Sequence, residues 1–248
     1  MATVSTSSPP PLLDADCALF LDVDGTLVEF ADHPAEVRLA PAVRDDIERL
    51  TDMLHGAVAL VSGRPLAQLD ALFDPLQLPA AGLHGHQLRN GDLLSANSDQ
   101  VPERLHALHQ RSMQLAHAHP GVLVENKGSA LALHWRGAVH SADAVTAFAH
   151  AQIQALPGYR LQPGNHVVEF VPAGSDKGSA LSALMRQPPF AGRRPVFAGD
   201  DLTDESGFAA ATHHGGWGVL VGARADTQAR YRLADVDAVH AWLLASAR

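Results

Sequence analysis

The sequence predicts an α/β protein with a doubly wound, mostly parallel sheet that is divided by an inserted α+β segment. Three observations predict it. The apolar run Leu19-Phe20-Leu21 ends in Asp22-Val23-Asp24-Gly25-Thr26. A second apolar run, residues 57–61, ends in Ser62-Gly63-Arg64, and a third, residues 195–198, ends in Gly199-Asp200-Asp201-Leu202-Thr203-Asp204-Glu205. Short apolar runs bounded by turn residues suit strands buried on both faces. Ligands of open parallel sheets gather beyond the carboxyl ends of the strands, so each run delivers its polar residues where chemistry usually happens.

The elements follow in order. Residues 1–11, with Ser7-Ser8-Pro9-Pro10-Pro11, read as a disordered tail without the basic start and apolar stretch of a signal peptide. After the first strand comes a loop with His33-Pro34, then a helix over 42–54 with Val43, Ile47, Leu50 and Leu54 on one face. The 57–61 strand leads into a short helix over 65–73, with proline in its first turn. Leu78-Pro79-Ala80-Ala81-Gly82 reads as a third, weak strand. Gln87-Leu88-Arg89 and Leu93-Leu94 read as a hairpin around Asn90-Gly91-Asp92. A helix over 101–117, a strand over 131–135, a helix capped by Ser141 and a strand over 166–171 complete the insertion. The core returns near Pro172 with a helix after Lys177, the strand before Asp200, a strand over 217–221 and a helix over 236–244. The expected division is therefore a core of 12–86 and 172–248, with an inserted domain of 87–171.

Composition narrows the function. Of 248 residues 46% are hydrophobic and only 5% aromatic, so the core rests on Ala, Leu and Val. A formal net charge of −9 argues against nucleic acid as a partner. One cysteine, Cys17, allows no internal disulfide, fits the cytoplasm and sits beside an apolar strand as a core thiol. Fifteen histidines lack the Cys/His spacing of a zinc site. No apolar run is long enough to span a bilayer. A monomer is expected, because no heptad seam shows.

Carboxylate pair, hydroxyl, lysine and acidic cluster, in that order, resemble the four-part pattern of the haloacid dehalogenase-like phosphatases. The resemblance implies a Rossmann-like core and a defined chemistry. Asp22 would attack phosphorus and form an aspartyl-phosphate. Asp24 would protonate the leaving alkoxide and then deprotonate the attacking water. Ser62 and Lys177 would hold the phosphoryl oxygens. Mg²⁺ would sit on the Asp22 and Asp200 carboxylates and the Asp24 backbone carbonyl, since it prefers oxygen ligands. Asp201 and Asp204 would hold a metal-bound water or orient Lys177. Taken singly, each has a plainer reading: Ser62-Gly63-Arg64 as an ordinary turn, Lys177 as a solvated lysine, the acids at 200–204 as helix caps.

The insertion resembles, more narrowly, the cap of the trehalose-6-phosphate phosphatases. The residues are Glu125-Asn126-Lys127-Gly128-Ser129, Ala132-Leu133-His134-Trp135-Arg136 and Val167-Val168-Glu169, followed by Pro172 and Asp176-Lys177-Gly178. Gly82-Leu83-His84-Gly85 also matches. The likeness runs from about Ala18 to Val221 and breaks at Phe170-Val171, where family members more often carry a basic residue. It implies a sugar phosphate as the small-molecule partner, with Glu125, Lys127 and Glu169 reading hydroxyls and with Arg64 and His84 on the core side. His134 and Trp135 read equally well as packing residues. Residues 125 and 127, at i and i+2 on a strand, would otherwise be a surface ion pair of little energetic value. Another sugar-phosphate phosphatase, a phosphomutase or a non-catalytic sugar-phosphate sensor would share most of these features.

Overall fold

β1 (Cys17–Leu21) runs through the middle of the molecule's larger sheet, with every residue buried. The chain continues through α1 (Pro41–Met53), β2 (Val58–Val61), α2 (Leu66–Phe73), β3 (Ala80–Gly82), β4 (Gln87–Asn90) and β5 (Leu93–Ala96). Next come α3 (Glu103–Ala118), β6 (Leu123–Asn126), β7 (Leu131–His134), α4 (Ala142–Ile153), β8 (Tyr159–Gly164) and β9 (Val167–Pro172). The return is made by α5 (Lys177–Leu184), β10 (Arg194–Gly199), α6 (Glu205–His213), β11 (Trp217–Val221), β12 (Tyr231–Leu233) and α7 (Val236–Ser246). The computed structural model describes residues 8–31, 36–91, 93–96 and 103–248. The His33-Pro34 loop, the start of the 101–117 helix and Asp92 of the expected turn lie outside them, as do residues 1–7.

The chain divides into two compact units, 1–94 with 176–248, and 95–175. The first holds an eight-stranded sheet in the order β12-β11-β10-β1-β2-β3-β4-β5. Pairing is parallel from β12 to β3. Strand order reverses at β1, which pairs with β10 on one side and β2 on the other. That reversal opens a crevice at the carboxyl ends of β1 and its neighbours. Leu21 pairs with both Ala198 and Leu60, so the three strands end nearly level. The continuous apolar runs of β1, β2 and β10 follow from helices covering both faces of a parallel sheet. Cys17 is fully buried in β1, as a core thiol should be.

The inserted segment begins later than the sequence suggests. β4 pairs antiparallel with β3, Ala81 opposite Leu88, and extends the core sheet with β5 beyond it. Arg89 secures this edge through a bidentate bond to the Asp70 carboxylate at 2.8 and 2.6 Å and a third bond to the Leu78 carbonyl. A hairpin reads as local in sequence, and nothing in its pattern shows that β3 offers it an open edge. Residues 8–11 of the expected tail are placed, and the Pro11 carbonyl accepts a hydrogen bond from Trp242 Nε1 on α7 at 2.9 Å. Trp242 thus draws the proline run onto the core.

The second unit is a four-stranded antiparallel sheet in the order β6-β7-β9-β8. Its apolar core joins Leu131, Leu133, Val168 and Phe170 of the sheet to Leu105, Leu108 and Val145 of the helices. Ser141 precedes α4 but makes no capping bond. Its hydroxyl lies 3.2 Å from His119 Nδ1 instead, after a turn of 3₁₀ helix over Arg136–Ser141. No helix among the described residues is long and apolar enough to cross a membrane.

Candidate active site

β1 aims its carboxyl end at the crevice, and Asp22 follows it directly. The Asp22 backbone N–H donates to the Ala198 carbonyl at 2.9 Å, which ties this position to β10. Asp200 follows β10 and Ser62 follows β2, so three adjacent strands place one polar side chain each at the same edge. Gly25 turns the chain away with φ +82. A side chain there would collide with the Asp200 carboxylate and the Phe30 ring, so only glycine suits the turn.

Lys177 enters from the first position of α5, whose N-terminus is fixed by a reciprocal capping box between Asp176 and Ser179. Its Nζ donates to Asp22 Oδ1 at 2.7 Å and to Asp204 Oδ1 at 2.6 Å, all three groups being buried. The other oxygen of Asp204 accepts from the backbone N–H groups of Asp200 and Asp201 at 3.0 and 2.9 Å. Asp204 therefore both closes the loop after β10 and orients Lys177. Asp201 acts locally instead. Its Oδ1 accepts from Leu202 N–H at 2.6 Å and caps the turn. Thr26, buried, brings its hydroxyl to 3.5 Å from Asp22 Oδ2 and 3.4 Å from Asp200 Oδ1. Its signal in the sequence was only a hydroxyl residue inside the first motif.

The charges are unbalanced. Oxygens of Asp22, Asp200 and Asp204 lie within 4.8 Å of one another around a single ammonium. Burial pushes the Asp22 carboxyl well above its ordinary range; Lys177 pulls it down, while Asp204 and Asp200 push it further up. Burial, and then the Asp204 charge, raises Asp200 to about 7. Burial opposes the charge on Lys177, but Asp204 and Asp22 outweigh it and hold the ammonium above the usual lysine range. A divalent cation is the counter-charge such a set lacks, and an all-oxygen donor set suits Mg²⁺. The residues present fit that ion.

The remaining core candidates form a second chain of contacts. Asp24 turns its carboxylate onto Arg64, accepting from Nε at 2.7 Å and from the terminal nitrogen at 2.6 Å. Arg64 thus grips the acid/base candidate in this conformation. The Ser62 hydroxyl accepts from Arg64 N–H at 3.2 Å, and the Ser62 carbonyl accepts from His84 N–H at 3.0 Å. His84 sits in the left-handed region at φ 55, with its ring 2.7 Å from where a side chain on Gly63 would begin. It braces the Ser62-Gly63-Arg64 turn.

In the second unit, Glu125, Lys127 and Glu169 come together on one sheet face. Glu125 and Glu169 flank Ala132 across β6, β7 and β9. Lys127 Nζ bonds Glu169 Oε1 and lies 3.9 Å from Glu125 Oε2, reaching over the small alanine. His134 Nε2 contacts Glu125 Oε2 at 2.9 Å, so it is a partner in this cluster, unlike the packing role its sequence position allowed.

The trehalose-phosphatase family model matches residues 20–237. The chain is 42% identical over 240 residues to the trehalose-6-phosphate phosphatase of Escherichia coli K12, covering 94% of this chain and 87% of that one. It is 30% identical over 205 residues to the trehalose-phosphate phosphatase of Mycobacterium tuberculosis H37Rv, covering 80% and 52%. In fold it is similar to the C-terminal domain of the C. albicans trehalose-6-phosphate phosphatase, with a TM-score of 0.81 at 20% identity over 94% and 92% of the two chains. With three motifs at adjacent strand ends and a fourth at the start of α5, a match across nearly the whole chain and a shared fold, the chain belongs to the trehalose-phosphatase family.

Proposed function

We propose that this protein hydrolyses trehalose 6-phosphate to trehalose and phosphate, with Mg²⁺ and through an aspartyl-phosphate. The observation that carries the proposal is the buried Asp22–Lys177–Asp204 chain beside Asp200, at the ends of strands that flank the sheet's reversal point. The Asp22 and Asp200 carboxylates and the Asp24 backbone carbonyl would hold the metal, which offsets the repulsion between a phosphate dianion and an attacking carboxylate. Asp22 forms a bond to phosphorus as the bond to the sugar oxygen breaks. Asp24 supplies the proton that the departing alkoxide needs, and later takes one from the water that displaces phosphate from Asp22. Arg64 holds Asp24 in place between steps. Ser62 and Lys177 hold the phosphoryl oxygens as charge moves between them.

The second unit acts as the cap that reads the leaving group. Trehalose carries hydroxyls and no charge, and carboxylate acceptors set beside an ammonium donor can sort hydroxyls by position. Glu125, Lys127 and Glu169 supply that pattern. A net charge of −9 and a single buried cysteine support a cytoplasmic enzyme acting on a small molecule, without nucleic acid. The test is phosphate release from trehalose 6-phosphate, glucose 6-phosphate and sucrose 6-phosphate, each with Mg²⁺ and with EDTA. Preference for trehalose 6-phosphate with Mg²⁺ supports the proposal. Equal rates on the three would move it to a general sugar-phosphate phosphatase, and no release would leave a sensor.

A further inference from the structure

The polar face of the second unit's sheet reaches one strand further than Glu125, Lys127 and Glu169. Register pairs Glu125 with Ala132, Ala132 with Glu169, and Glu169 with Gln162. Directly paired residues project to the same face of a sheet. These four therefore make one row across all four strands. Alternate residues, among them Leu131, Leu133, Phe170 and Leu161, turn the other way into the apolar core. Gln162 lies on β8, an edge strand, half-buried.

Arg160 stands two residues before Gln162 on the same face, directly opposite Val171. One of its terminal nitrogens donates to Gln162 Oε1 and the other donates to the Ser175 carbonyl at 3.1 Å. A guanidinium only donates, so the oxygen of the Gln162 amide is the atom facing Arg160. The NH₂ group is the opposite end of that amide. It makes a long bond of 3.3 Å to the Pro163 carbonyl, and an amide nitrogen has two hydrogens to give.

We propose that Gln162 is a further residue that selects the sugar, donating from Nε2 to a hydroxyl oxygen of the leaving disaccharide. Arg160 is its positioning residue, fixing which way the amide faces. The proposal rests on the reading that Glu125, Lys127 and Glu169 meet the same sugar. Each hydroxyl both donates and accepts. The two glutamates in the row can only accept, and the Lys127 ammonium is already shared between them. Gln162 supplies a neutral donor in the same row. Arg160 also places a cation opposite Val171, where the resemblance to the family breaks.

The experiment uses the full chain with Mg²⁺ and reads one ratio, kcat/KM on trehalose 6-phosphate divided by kcat/KM on p-nitrophenyl phosphate. Gln162→Leu keeps the volume and removes the amide. It should lower the ratio by about tenfold, mainly through KM, as loss of one hydrogen bond to substrate does. Gln162→Glu keeps the acceptor that faces Arg160 but loses the donor, and should lower it as much. Arg160→Ala should lower it about threefold and Arg160→Lys should restore it, which a merely structural arginine would not do. Glu169→Gln is the control. If its ratio falls while both Gln162 variants keep the wild-type ratio, the Gln162 proposal is overturned and the reading of the other three residues stands. If none of these ratios moves, that reading fails, and this proposal with it.

Discussion

The two units handle buried charge in opposite ways. In the core, Lys177 is gripped by carboxylates 155 and 27 residues away in sequence, delivered by strand ends that the sheet order brings together. In the second unit, Lys127 meets Glu125 two residues away and Glu169 two strands over, by register within one sheet. The core site depends on the connectivity of the fold, so its residues act as a unit. The sheet face is an array in which each position projects side by side with its neighbours. Single changes there should retune recognition while leaving the chemistry in place.

The comparison would break first at Asp22. Asp22→Asn should reduce turnover of trehalose 6-phosphate and p-nitrophenyl phosphate alike to background, with the fold retained by circular dichroism. Wild-type-like turnover would remove the aspartyl-phosphate route. Asp24→Asn should lose about 10²–10⁴-fold in kcat on trehalose 6-phosphate, because it forfeits both proton transfers. Full rate across the pH range would reassign that role.

Metal removal tests the charge imbalance itself. EDTA should abolish activity and Mg²⁺ should restore it. The sign of the pH effect follows from Asp200. Its folded pKa, about 7, lies above the ordinary carboxylate value. Its contribution to the stability of the metal-free protein is fully present below about 4 and is lost as pH rises through 7. A bound cation replaces that proton, so Mg²⁺ should raise Tm more at pH 8 than at pH 5.5. Equal shifts in thermal scans would show that Asp200 does not carry the metal.

The sheet face should respond more selectively. Glu125→Ala, Lys127→Ala and Glu169→Ala should each lower kcat/KM on trehalose 6-phosphate by at least about tenfold more than on p-nitrophenyl phosphate, since a site built around hydroxyls loses most with the substrate that has them. Lys177→Ala should lower both by similar factors, because both substrates present the same phosphoryl group. If the sheet variants fall equally on both substrates, the contrast between the units disappears.

The smallest effect is expected at Arg89, which fastens the hairpin edge through partly exposed contacts with Asp70. Arg89→Ala should cost about 1 kcal/mol in urea unfolding and leave the substrate ratio as it was. A shift in the ratio would make the hairpin edge part of recognition.

Much of the fold and the site is legible because the signals are local. β1, β2 and β10 are short apolar runs that end in polar clusters, and α1 carries Val43, Ile47 and Leu50 at helical spacing. β8 escapes a reading of the sequence because Pro163 and Gly164 interrupt it, although Tyr159 and Leu161 alternate with Arg160 and Gln162. Proline is tolerated there because β8 is an edge strand, a fact of sheet order that composition cannot supply. The three-residue strand β12 is too short to leave a pattern.

By itself the sequence determined the inventory of chemistry and its placement at strand ends, because side-chain period and turn composition are properties of neighbouring residues. Only the tertiary structure decided that Lys177 rests on Asp204 and not Asp201, that Arg64 holds Asp24, and that Gln162 shares a row with Glu125 and Glu169. Those outcomes depend on register and on pairing between distant segments. A shift of one residue would send the whole row to the opposite face and carry Leu131, Leu133 and Phe170 out of the core, and the burial of those side chains is what prevents it.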